Sequence, residues 1–143
     1  MLRFSGLLAS LAIGCAAANA DPVVLNAGEW LVSMDIKMTM ANDVTLLQEH
    51  TTETECWLEE EELTLDPTYF EIDECSLSDT EETSFGFKAQ VACDFDSIVL
   101  NGSLIAEANT SRDGFAGRME INDANYLGIL GEILFLGYQK GTC

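Results

Sequence analysis

Residues 28–40 read GEWLVSMDIKMTM, and this stretch decides the fold class. Its even-numbered positions are apolar from Trp30 to Met40, whereas its odd-numbered positions are polar with the single exception of Leu31. A period of two places successive side chains on opposite faces of a β-strand. The segment therefore predicts a strand that buries one face against a core.

Six more segments carry strand signals, either alternation or enrichment in threonine and β-branched residues. A break at residues 41–43 predicts a turn that joins the first two strands in a hairpin. On the second strand, alternation places the side chains of Glu49, Thr51, Glu53 and Glu55 together on a polar face. The predicted strands after the first span residues 44–56, 69–77, 85–95, 98–108, 115–121 and 132–140.

One segment predicts a helix. Residues 57–63 are leucines and glutamates after Trp57, which favour one to two helical turns ending before Asp66-Pro67. Four adjacent glutamates at 59–62 raise the hypothesis of a calcium site, but the aspartate-rich loop of such sites is missing, so a solvated acidic face is favoured. The predicted fold is mainly β: one antiparallel meander sheet, curled or half-barrel-like, with a short helix after strand two.

Composition excludes several classes of protein. The chain of 143 residues has 25 acidic and 6 basic side chains and a formal net charge of −19. Such a surface disfavours nucleic acid and anionic lipid as partners, because both require basic side chains. A hydrophobic content of 48% argues against a disordered acidic tail. The length fits a single domain, and one histidine excludes a multi-histidine metal site.

The first twenty residues predict a secretory signal peptide. Arg3 precedes a short apolar region, and Ala18-Asn19-Ala20 matches an A-x-A cleavage site. The apolar region is too short to span a bilayer. We therefore predict a signal peptide at 1–20, one β domain at 21–143 and a periplasmic location. A lipoprotein anchored at Cys15 is the alternative, because residues 12–15 loosely resemble a lipobox.

The remaining cysteines predict disulfides. An even number of cysteines behind an export signal is typical of a disulfide framework. The sequence has no C-x-x-C motif, the spacing that zinc sites and redox-active thiols usually use. Of the three possible pairings, we predict Cys75 with Cys93, since they flank one hairpin at similar distances from its turn. Cys56 is then left to pair with Cys143.

Ten glycine, aromatic and cysteine residues occur along the chain in a recognisable order: Gly28, Trp30, Cys56, Cys75, Cys93, Gly102, Phe115, Gly117, Gly141 and Cys143. Their order and spacing resemble those of the domain-of-unknown-function family 3617 of exported bacterial proteins. The resemblance covers nearly all of residues 21–143, although the acidity and the apolar, glycine-rich segment 126–138 depart from it. It implies export to the periplasm and a disulfide-bearing β domain, and it implies no reaction.

Three hypotheses of function follow. The first is a non-enzymatic envelope module that binds a protein or a small ligand. The second is a lipocalin-like carrier of an apolar ligand, although the side chains that would line its cavity could equally form a core. The third is a small hydrolase that uses His50 or a carboxylate pair. We assign no catalytic residue, metal ligand or cofactor. The possible apolar lining is Trp30, Met34, Phe85, Phe87, Phe115 and Met119.

Overall fold

A computed structural model of the chain describes residues 23–61, 63–70, 72–96, 98–123 and 128–143. The predicted signal peptide at 1–20, its cleavage motif and Cys15 lie outside the described residues, as does Glu62 of the glutamate run. Within the described ranges, no helix has the length and apolar character needed to cross a membrane.

The described residues form an antiparallel sheet of seven strands, and a second, two-stranded sheet packs on one of its faces. The large sheet has the order β3-β2-β9-β8-β7-β6-β5, and β1 pairs with β4. Seven strands were predicted and seven form the large sheet. The strands are β1 (Val23–Val24), β2 (Gly28–Thr39), β3 (Thr45–Trp57), β4 (Thr64–Leu65), β5 (Cys75–Glu82), β6 (Gly86–Phe95), β7 (Ile98–Ala108), β8 (Gly114–Asp123) and β9 (Leu130–Gly141).

The sheet combines a hairpin with a five-strand meander. Strands β2 and β3 form the predicted hairpin, and β5 to β9 follow one another as neighbours. The two parts join where β2 pairs with β9, for example at Leu31 and Tyr138. The chain between β3 and β5 therefore passes from one edge of the sheet to the other.

One face of the sheet, here called the inner face, carries the core. Trp30, Leu104 and Met119 have 0% of their surface exposed. The segment between β3 and β5, here called the cover segment, covers part of this face. Its Phe70 packs into the core, with ring centroids 5.1 Å from Phe135 and 5.6 Å from Phe87. Edge-to-face aromatic contacts of this kind stabilise a core beyond simple area burial.

The sheet is neither curled nor closed, so the half-barrel prediction was wrong. β3 and β5 form the two edges and do not pair with each other. A sheet with one apolar face must either curl over that face or be covered by other parts of the chain, and the prediction chose curling. Instead, β1, β4 and the turn around Phe70 cover that face.

The predicted helix at 57–63 was also wrong. Trp57, the first residue of the predicted helix, belongs instead to β3 and pairs with Gly28. The described residues after it form only a 3-10 turn, at Glu59–Glu61. The third strand was predicted to begin at 69, but Pro67–Phe70 is a second 3-10 turn and β5 begins at Cys75. The β5 strand extends to Glu82, beyond residue 77, where the third predicted strand ends.

The two disulfides have the pairing that the sequence predicts. Cys75 and Cys93 are directly opposite each other on β5 and β6, with Cα atoms 4.0 Å apart. Cys56 and Cys143 join the end of β3 to the residues after β9, with Cα atoms 5.6 Å apart. The second bridge thus links the end of the edge strand β3 to the residues that follow β9, an interior strand of the sheet.

Candidate functional site

The inner face is only partly covered, and its open part forms a groove over β2 and β3. The groove has a volume of about 220 Å³. Its floor is apolar: Val32 and Met34 on β2 are partly buried, and Phe135 on β9 is 7% exposed. We call this surface the inner groove. It is lined by Val32, Ser33, Met34, Thr51, Glu53, Glu55, Tyr69 and Phe135.

Three glutamates of β3 lie on the same face as this groove, and two of them, Glu53 and Glu55, line it. Directly paired residues of antiparallel strands project to the same face. Glu49 pairs with Ile36, Glu53 with Val32 and Glu55 with Trp30. The three glutamates, which we call the acidic rim, therefore lie on the face that carries the core. The sequence grouped them on one polar face, but only the register of β3 against β2 shows that this face adjoins the apolar floor.

Tyr69 closes one end of the inner groove. Its ring contacts Trp57, Phe70 and Phe115 at centroid distances of 6.1, 5.3 and 5.6 Å. Burial raises the pKa of the Tyr69 hydroxyl well above its ordinary value, and the charges of Glu55 and then Glu53 raise it further. The phenol therefore keeps its proton and faces the carboxylates as a neutral group.

The outer face of the sheet holds the single histidine. Nδ1 of His50 lies 2.5 Å from Oδ1 of Asp35, and Oγ1 of Thr52 lies 3.0 Å from Nε2 of the same ring. The Asp35 carboxylate can only accept a hydrogen bond, so in the neutral ring Nδ1 carries the proton and donates it to Asp35. Nε2 then accepts a hydrogen bond from the Thr52 hydroxyl. A carboxylate, an imidazole and a hydroxyl thus stand in line, as in hydrolases that activate a hydroxyl nucleophile.

The surroundings of this line do not complete such a site. The side chains of His50 and Asp35 are 61% and 47% exposed. The adjacent hollow of about 350 Å³ is lined by polar side chains and by Ile36 and Leu134.

A second outer hollow, of about 370 Å³, adjoins the first. Lys37 and Glu132 line both hollows. Nearby, Nη2 of Arg118 lies 2.6 Å from a carboxylate oxygen of Glu132 and 2.9 Å from one of Glu120. These pairs are solvent-exposed and contribute little to stability. On the outer face, Arg118 thus partly neutralises Glu120 and Glu132. None of the ion pairs among the described residues includes a glutamate of the acidic rim.

The six side chains predicted to line an apolar cavity do not come together around one. Trp30, Phe87, Phe115 and Met119 are packed in the core and are at most 5% exposed. Phe85 lies outside the strand, immediately before β6, and is 47% exposed. Met34 does line the inner groove. The sequence did not identify Tyr69 or Phe135, whose positions depend on the cover segment and on the pairing of β2 with β9.

The described residues contain no group of three or more histidine, cysteine, aspartate or glutamate side chains arranged to hold a metal ion. Of the glutamate run, Glu59, Glu60 and Glu61 are exposed. No protein-family model, curated protein or solved structure matches the chain. The resemblance to family 3617 therefore stays a prediction.

Proposed function

We propose that the protein is an exported, non-enzymatic binding module of the cell envelope, and that it binds its ligand in the inner groove. One observation carries this proposal: an apolar floor continuous with the core is left open beside the acidic rim. Val32, Met34, Ile36 and Met38 pack against the core, yet all four stay partly exposed. Apolar surface left open next to polar groups is typical of binding sites.

Export is part of the same proposal. It is supported by the A-x-A motif at residues 18–20 and by two disulfides, which persist mainly in oxidising compartments. Intact mass of the protein from its producing organism tests it. We expect a chain that begins at Asp21. A mass that includes a diacylglyceryl group on Cys15 would support the lipoprotein alternative instead.

The lipocalin-like carrier is less well supported by the geometry. Pockets for drug-sized ligands usually measure about 300–1,000 Å³ and enclose most of the ligand. The inner groove has about 220 Å³, and the sheet that forms its floor is open. An extended ligand that lies along the surface fits this shape better than an enclosed one.

A hydrolase remains the second candidate function, because Asp35, His50 and Thr52 stand in line on the outer face. Screening the purified protein against ester and glycoside substrates tests it. An activity that disappears in His50→Ala and in Asp35→Asn would establish this candidate. The same activity surviving in both variants would exclude these residues from it.

The binding proposal is tested by photo-crosslinking in the producing cells. A photoreactive residue replaces Met34 in the inner groove, and a matched variant carries it at Ile105, which is 43% exposed on β7. Ile105 pairs with Arg118 and so lies on the outer face. We expect a discrete adduct at Met34 and none at Ile105. Equal labelling at both positions, or no labelling at Met34, would contradict binding in the inner groove.

A further inference from the structure

We infer that the ligand is an extended, basic polypeptide segment that pairs with β3 as an eighth strand and places its cationic side chains beside the acidic rim. This inference rests on the proposed function, since it names the class of ligand that the inner groove would take. Three observations carry it: the regular geometry of the β3 edge, the spacing of the rim carboxylates and their lack of cationic partners.

The β3 edge is long and regular. Its register against β2 runs without a shift from Gly28–Trp57 to Met38–Leu47. The opposite edge, β5, is interrupted between Ser78 and Glu81, and Asp79 there has a φ of 49°. Natural sheets protect their edges with bulges, prolines and charged side chains. β5 has such an irregularity in its middle. β3 has one register shift, close to its first residue, and its inner-face charges are all acidic, since it contains no lysine, arginine or proline. Acidic side chains on this edge disfavour pairing with acidic strands and leave it open to basic ones.

A strand at the edge of a sheet offers unpaired backbone N–H and C=O groups to another chain. Pairing with an extended peptide is a common mode of recognition, in which the backbone supplies affinity and alternate side chains supply specificity. On β3, the side chains that would set specificity on the inner face are Glu49, Thr51, Glu53 and Glu55.

The negative charge on this face favours a basic partner over a second copy of the chain. Side chains directly opposite each other on paired strands interact, and like charges there are destabilising. If two copies of β3 paired antiparallel around Thr51, Glu49 of each copy would face Glu53 of the other. The same spacing favours a partner with lysine or arginine at alternate positions. In the described part of the chain, the basic side chains that contact a carboxylate are His50 and Arg118, and neither contacts the rim.

A synthetic peptide of alternating lysine and valine, about nine residues long, is the probe. It is titrated against the disulfide-bonded protein, and hydrogen exchange follows the amides of β3. We expect saturable binding that weakens with added NaCl, together with slower exchange along β3. A peptide with proline in place of every valine keeps its charge but cannot form the ladder, so it should not bind. Equal binding of the two peptides would overturn strand addition.

Two triple variants distinguish binding of the peptide to the acidic rim from its nonspecific electrostatic attraction to an acidic protein. Glu49→Gln, Glu53→Gln and Glu55→Gln together remove three charges from the rim. Glu59→Gln, Glu60→Gln and Glu61→Gln remove three charges from the neighbouring exposed 3-10 turn. We expect the rim variant to weaken binding about tenfold and the control to change it less than about twofold. An equal loss in both variants would overturn the assignment to the rim.

This experiment can fail independently of the proposed function. If the peptide does not bind but a photoreactive residue at Met34 still captures a ligand in cells, the inner groove is a binding site for another class of ligand and the present inference is wrong. If neither result is positive, the proposed function fails as well. Formation of a dimer by the protein alone, with protected β3 amides, would identify a second copy as the occupant instead.

Discussion

The ring of Phe115 lies directly against Gly137, its partner across the β8–β9 ladder. A Cβ atom built on Gly137 would overlap Cε1 of Phe115 and come within 2.6 Å of Cζ. Phe115 in turn packs against Trp30, with ring centroids 5.9 Å apart. The missing side chain at 137 thus makes room for an aromatic ring at the centre of the inner face.

We therefore expect Gly137→Ala to destabilise the protein by about 1–3 kcal/mol, the usual cost of overpacking a core. Urea unfolding of the disulfide-bonded protein measures this change. Gly141→Ala is the matched control, because no atom of the described residues lies within 4 Å of the Cβ position at Gly141. A similar effect of both substitutions would mean that the contact between Phe115 and Gly137 does not limit the packing.

The bridge from Cys56 to Cys143 closes a loop with a sequence separation of 87. In the chain-entropy account, removing it with Cys56→Ala and Cys143→Ala should cost about 3–5 kcal/mol. Both cysteines are exposed, so lost core packing adds little. Unfolding free energies test the magnitude. Peptide mapping without reductant tests the pairing, and a link between Cys56 and Cys75 would contradict it.

Asp66 organises the turn that carries Phe70 over the core. Its carboxylate accepts hydrogen bonds from the Thr68 backbone N–H at 2.8 Å, from the Thr68 hydroxyl and from the Thr64 hydroxyl at 3.1 Å. We expect Asp66→Ala to cost about 1–2 kcal/mol at neutral pH, as for a lost helix cap. Asp73→Ala, an exposed position in the next turn, should cost less.

The contribution of Asp66 should also depend on pH. Burial acts to raise its pKa, but the hydrogen bonds from Thr68, Thr64 and Tyr69 outweigh burial and hold the pKa below its ordinary value of 3.8. A depressed folded pKa gives stability that is present above the ordinary pKa and is lost as the pH falls through the folded value. The difference between wild type and Asp66→Asn should therefore shrink in acid. A difference that stays constant down to about pH 2 would exclude this linkage.

Tyr69 should make the protein sensitive to alkali. Its folded pKa is raised, so the folded state retains a proton that the unfolded chain releases near pH 10. Stability is then lost as the pH rises above about 10. We expect unfolding free energies of wild type to fall more steeply than those of Tyr69→Phe between about pH 9 and 11. Tyr138→Phe, on the exposed outer face, is the control and should follow wild type.

Local patterns were enough to predict most of the strands. Alternation gave β2, β6 and β7 to within a residue or two, and the turn at 41–43 gave the first hairpin. The bridge from Cys75 to Cys93 followed from the same local logic, because both cysteines flank one hairpin. Features set by neighbours in sequence are those that propensity and periodicity report.

The structure of the cover segment was not predicted, because a capped turn lies within a stretch that has the composition of a strand. Residues 69–72 look like part of a strand, but Asp66 caps a 3-10 turn that begins at Pro67. Proline fixes the backbone dihedral that this turn needs, and the aspartate satisfies its free N–H groups. From the sequence, Asp66-Pro67 predicts only the end of a helix, and the 3-10 turn that begins at Pro67 is not expected.

The candidate site depended on long-range register, which a single sequence does not reveal. Glu53 faces the groove because it pairs with Val32, and His50 meets Asp35 because the same register brings residues 15 positions apart together. A shift of one residue would exchange the two faces of β3. Alternation grouped the glutamates correctly but could not assign them to a side of the sheet.

The position of β9 constrains the order in which the protein can fold. This last described strand is not an edge but lies between β2 and β8, and Leu31 pairs with Tyr138, more than a hundred residues later. A chain that emerges N-terminus first therefore holds the β2–β3 hairpin and the β5–β8 sheet as separate halves, each with a free edge where β9 belongs. Such non-local pairing folds slowly and leaves intermediates open to aggregation. Under the export that we propose, transport in an unfolded state, with assembly only after β9 has also been released, would keep both halves from misassociating.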